Sequence, residues 1–89
     1  MTVRKRVIVS GRVQGVFFRD TCRQRAQQAG VSGWVTNRSD GRVEAVFEGD
    51  EGAVQEMVEW CHHGSGPADV FEVEATDEEP TGESGFTVR

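Results

Sequence analysis

Cysteine is scarce in this chain. Cys22 and Cys61 are the only two, too few and too far apart for a zinc site or a CxxC redox pair. Long apolar runs are missing: none approaches the roughly 20 residues of a membrane-spanning helix. A secretory leader is not written here either, because Arg4-Lys5-Arg6 is followed only by the short apolar run Val7-Ile8-Val9. These absences predict a cytoplasmic protein without a membrane partner. No GxxxxGK[ST] occurs, which excludes a nucleotide P-loop. Gln28 and Pro67 stand six residues after the two cysteines, where a cysteine phosphatase needs arginine. His62 and His63 are adjacent, which is not metal-ligand spacing, and the expected metal and cofactor content is none.

The 89 residues suffice for one domain spanning 1–89. A domain of that size buries roughly 60–65% of its unfolded surface, so its stability is modest. Net charge is −5, unevenly placed. Nine of ten basic residues fall within 1–43, and thirteen of fifteen acids within 44–89. The acidic half reads as a solvated face and argues against a nucleic-acid partner. The basic half can also focus field onto a site for small anions.

Residues 3–10, VRKRVIVS, place Val3, Lys5, Val7 and Val9 on one face, with Ile8 apolar on the other. That predicts an interior strand. From Arg19 to Ala29 the spacing of Cys22, Ala26 and Ala29 is helical, with Gly30 as the stop. Residues 32–38 and 42–48 read as strands joined at Ser39-Asp40-Gly41. Asp50 is a candidate N-cap for a second helix whose stripe is Val54, Met57, Val58 and Cys61. Gly64, Gly66 and Pro67 break it, 68–75 reads as a strand, and Phe86 and Val88 belong to a short last one. The order predicts an α+β ferredoxin-like two-layer sandwich: βαββαβ with a short extra C-terminal strand, and an antiparallel sheet with two helices on one face. The cysteines are expected as buried free thiols; antiparallel helices also make a Cys22–Cys61 bridge geometrically conceivable.

The stretch that organises the rest is GRVQGVFFR at 11–19. Gly11 and Gly15 let the backbone turn with positive φ. Successive N–H groups in such a turn form an anion nest. Arg19, in the first helical turn, can grip a phosphate bidentately where the helix dipole also favours negative charge. Asn37 is the second candidate, since an amide both donates and accepts and can hold a water in line with phosphorus. It reads equally well as a polar residue near a turn. No strong acid or nucleophile belongs to this set. That restricts catalysis to a leaving group that departs without protonation, as a carboxylate does. Positioning and charge stabilisation supply most of phosphoryl transfer.

GRVQGVFFR at 11–19, GWVTN at 33–37, DGRVEAVFEG at 40–49 and the C-terminal GPADVFEVEATDEEPTGESGFTVR resemble acylphosphatase over nearly the whole chain. The resemblance implies metal-free hydrolysis of a small-molecule acyl phosphate, with inorganic phosphate as product and inhibitor. It implies that Arg19 binds the phosphate, that Asn37 orients the attacking water, and that the loop amides of Val13, Gln14, Gly15, Val16, Phe17 and Phe18 complete the cradle. Val13, Val16 and Phe18 are expected to anchor the turn in the core. Phe17 reads either as exposed at the mouth of the site or as buried, and Gln14 as capping the loop or contacting ligand. Two departures from the family pattern, Thr36 and Ala29-Gly30-Val31, bear on local packing. The default is a monomer, and the span from Met1 to the last strand reads as a free-standing enzyme. A non-catalytic ferredoxin-like binding or accessory domain is the alternative.

Overall fold

β-Branched residues alternating with charged ones draw the chain's start into a long strand, β1 (Thr2–Arg12), in a computed structural model that describes residues 1–89. Helix α1 (Phe18–Ala29) follows, then β2 (Ser32–Asn37), β3 (Val43–Asp50), α2 (Glu51–His63), β4 (Asp69–Glu78) and β5 (Phe86–Val88). The sheet order is β4-β1-β3-β2-β5. β1 is interior, as its apolar residues on both faces require. The four long strands pair antiparallel, whereas β5 runs parallel to β2. α1 lies over β2 and β5, and α2 over β1, β3 and β4.

One cluster of 17 buried residues fills the space between helices and sheet. Val7, Val9, Val35, Val43, Ala45 and Phe47 come from the strands. Cys22 and Ala26 come from α1, and Val54, Met57, Val58 and Cys61 from α2. The helix ends follow from local chemistry. Gly30, at φ 71°, closes α1 with its N–H on Gln27 O, while the Val31 N–H reaches Ala26 O at 2.9 Å. Asp50 caps α2 by accepting from the Gly52 N–H at 3.2 Å.

The sheet's open face carries charge in place of a second layer. Arg4, only 8% exposed, donates to Glu78 at 3.0 Å, Glu48 at 3.2 Å and Thr81 at 3.1 Å. Arg6 bridges Glu44 and Glu78. The Arg6 and Arg89 guanidiniums stack on Trp34, 5.5 and 4.6 Å from the ring centre. By alternation Arg4 shares the face of β1 that carries Arg6 and Ile8, which does not by itself bury it. Its burial comes instead from partners 44 to 77 residues away in sequence.

Candidate active site

Three segments meet where β1 gives way to α1. The loop 13–17 is fixed from both sides by its own apolar residues. Val13 and Val16 are buried, as is Phe18 at the start of α1, whose ring packs 5.0 Å from Trp60. Ser65, in the breaker segment after α2, donates to the Val16 carbonyl at 2.5 Å. Gln14 turns the other way: its Nε2 donates to Arg38 O at 2.7 Å and Arg42 O at 2.9 Å. The loop is thus tied to the end of α2 and to the β2–β3 hairpin at once.

With its side chains so engaged, the loop leaves its main chain open. No N–H from Val13 to Phe17 donates to a main-chain oxygen. The first N–H groups of α1 have no acceptor within their helix either. Gly15 takes φ 72° and Phe17 takes φ 63°. Gly11 also has positive φ, at 126°, but it lies inside β1 and not in the turn. A Cβ there would sit 2.3 Å from Asp69 O, so Gly11 is required by the close approach of β4.

Val13, Gly15, Phe17, Phe18, Arg19, Asp20 and Asn37 line one cleft of about 250 Å³. This brings Arg19 and Asn37 together. They meet although β3 stands between β2 and β1: Asn37 pairs with Val43, and Val43 with Val9. Asn37 reaches the cleft because it shares the helix-facing side of β2 with the buried Val35, beneath α1. Gln14 and Val16 do not line the cleft. Ser65 escaped the sequence reading altogether, and nothing in a Gly-Ser-Gly-Pro turn distinguishes a clamp from a loop.

The electrostatics favour an anion. Arg19 makes one long contact, 3.5 Å to the main-chain oxygen of Arg89. That oxygen also accepts from Thr36 Oγ1 at 3.1 Å, which gives Thr36 its place. The neighbouring acid, Asp20, is engaged by Arg23 at 2.8 Å and by Gln24 at 3.3 Å, so Arg19 stays available. Asn37 Oδ1 is buried with no hydrogen-bond partner. A buried acceptor left bare costs about 1–3 kcal/mol and calls for a ligand or water. A larger groove of about 520 Å³ lies at the start of α2, but its cations Arg4 and Lys5 are already paired with Glu48, Glu78 and Asp77. No group of three or more His, Cys, Asp or Glu side chains gathers closely enough to share a metal ion. No helix is long and apolar enough to cross a membrane.

The family model for acylphosphatase matches residues 5–88. An acylphosphatase of Rubrobacter xylanophilus is 62% identical over 89 residues, covering 99% of this chain and 81% of the relative. The solved acylphosphatase of Coxiella burnetii superposes with TM-score 0.95 at 38% identity, over 99% of this chain and 93% of that one. The crystal structure of the Bacillus subtilis acylphosphatase gives TM-score 0.94 at 40% identity, over 100% and 99%.

Proposed function

The chain belongs to the acylphosphatase family, and from that premise we propose that its cleft hydrolyses the carboxyl–phosphate bond of small acyl phosphates to a carboxylate and inorganic phosphate. The phosphate rests on the free N–H groups of residues 13–18 and on the Arg19 guanidinium, which neutralise its charge without a metal or cofactor. A water donates to Asn37 Oδ1 and attacks phosphorus in line. The new P–O bond forms as the bond to the acyl oxygen breaks, and the electron pair leaves with the carboxylate. The water proton passes to a phosphate oxygen, since the leaving group needs none. The observation that carries this reading is the bare, buried Oδ1 of Asn37 in the cleft that Arg19 also lines. In this reading the whole of 1–89 is one catalytic unit, a monomer acting in the cytoplasm, with inorganic phosphate as product and inhibitor.

Turnover of acetyl phosphate with and without a chelator tests the activity and its metal independence together. Arg19→Ala should lose phosphate inhibition and at least about 10²–10³ in rate. Asn37→Ala should lower kcat while inorganic phosphate still inhibits. Full activity in Asn37→Ala would remove the water from that amide.

A further inference from the structure

Phe17 is the one residue other than glycine with positive φ, at 63°. An aromatic side chain in the left-handed region is rare and costs free energy, and such outliers concentrate where a site needs them. Its neighbours Val16 and Phe18 are buried, whereas Phe17 is 75% exposed. It packs into no core and caps α1 without a side-chain hydrogen bond. Folding therefore gains little from the ring and is charged for its backbone. Phe17 nevertheless lines the cleft with Arg19 and Asn37. The other apolar side chains of that lining, Val13 and Phe18, are each 1% exposed. Phe17 is thus the apolar surface a bound molecule can cover. At about 250 Å³ the cleft lies below the roughly 300–1,000 Å³ of sites for drug-sized ligands.

We propose that Phe17 is a specificity-determining residue: its ring forms a wall for the acyl group, so the cleft prefers acyl phosphates whose flat apolar acyl part can cover that ring over those whose acyl part is too small to do so. This rests on the acyl phosphatase reading of the same cleft. The phosphate, held by N–H groups and Arg19, fixes one end of the substrate. The acyl group then leaves the nest toward the mouth, where stacking against one exposed face can contribute.

The test compares kcat/KM for benzoyl phosphate and acetyl phosphate in the wild type, Phe17→Gly and Phe17→Asn. Both replacements accept left-handed backbone. The benzoyl-to-acetyl ratio should fall about three- to tenfold in each variant, the value of one aromatic contact. The melting temperature of Phe17→Gly should stay level or rise, which separates loss of selectivity from loss of fold. An unchanged ratio in both variants overturns the proposal. A wild type that hydrolyses neither substrate overturns the underlying activity instead.

Discussion

The side-chain amide of Gln14 donates to the carbonyl of Arg38 at 2.7 Å, one residue beyond Asn37 in the chain. The same nitrogen reaches Arg42 O at 2.9 Å on the returning strand side. One side chain therefore locks the spacing between the loop at 13–17 and the hairpin that carries Asn37. Misplacing a catalytic group by about 1 Å can cost about 10² in rate. Gln14→Ala should lower kcat by about tenfold to a hundredfold while inorganic phosphate still inhibits. Gln14→Glu should be no better, because a carboxylate offers two carbonyls no donor. If kcat is unchanged in Gln14→Ala, the brace is not what sets the geometry.

Glu48 gathers more donors than any other carboxylate on the open face. The N–H groups of Thr81, Gly82 and Glu83 reach it at 2.9, 2.8 and 2.9 Å, and Arg4 at 3.2 Å. The Thr81 N–H, then Arg4 and the other two N–H groups, hold its carboxyl below the usual carboxylate range although burial opposes them. Glu78 is held low by Arg6 and then Arg4. A carboxylate with a lowered native pKa contributes stability that is present above the unfolded pKa, about 4.3, and is lost as pH falls through the native one. Urea denaturation should show wild-type stability falling below about pH 4.3. Glu48→Gln should be less stable by about 1–3 kcal/mol at pH 7, as when charge-assisted hydrogen bonds are lost while Arg4 keeps Glu78, and flatter in acid. Parallel pH curves for the two proteins would remove Glu48 from the acid transition.

Much of this molecule is legible in its sequence because the signals are local. Period-two alternation places β1 and β3, helical spacing places Cys22, Ala26, Val54 and Cys61 in the core, and glycine and proline mark the breaks. The loop at 13–17 is marked by GRVQGVFFR, whereas the pairing of Arg19 with Asn37 comes from the resemblance of that motif and GWVTN to acylphosphatase, since from spacing alone Asn37 reads equally well as a polar residue near a turn. What was illegible joins distant residues. Nothing near Arg4 in the chain marks it for burial; its partners Glu48, Glu78 and Thr81 arrive from distant segments. β5 runs parallel to β2 at the sheet edge, beneath α1, a pairing between residues about fifty apart that no local pattern encodes. Gly11 reads as a turn residue because its neighbours do, yet its role is to let β4 approach.

Cys22 and Cys61 are both fully buried free thiols, and burial pushes both thiol pKa values upward. Thiolate is the reactive form, so both should be inert in the native state. A thiol reagent should label neither in buffer and both in denaturant without reductant. Labelling of fewer than two groups in denaturant indicates a bridge; fast labelling in buffer indicates a core open on that timescale.

Gly15 and Gly33 both take positive φ, at 72° and 137°, yet alanine should treat them differently. At Gly33 an added Cβ lies 1.8 Å from Val46 O and 2.8 Å from Val46 C. That backbone belongs to β3, the strand paired with β2 on one side and β1 on the other. It cannot retreat without opening the ladder, so Gly33→Ala should lose more than about 4 kcal/mol, enough to unfold a marginal domain. At Gly15 no atom lies within 4 Å of the added Cβ. Only the left-handed backbone is penalised there, by about 1 kcal/mol. Gly15→Ala should therefore fold, with a native far-UV spectrum and a small loss of stability. Its activity should drop more than its stability, because the strain falls on the loop whose N–H groups line the cleft. Circular dichroism and acetyl phosphate turnover on the two purified variants read both effects. A Gly15→Ala protein that unfolds as completely as Gly33→Ala contradicts the assignment of that glycine to the site, and makes it a structural turn like any other.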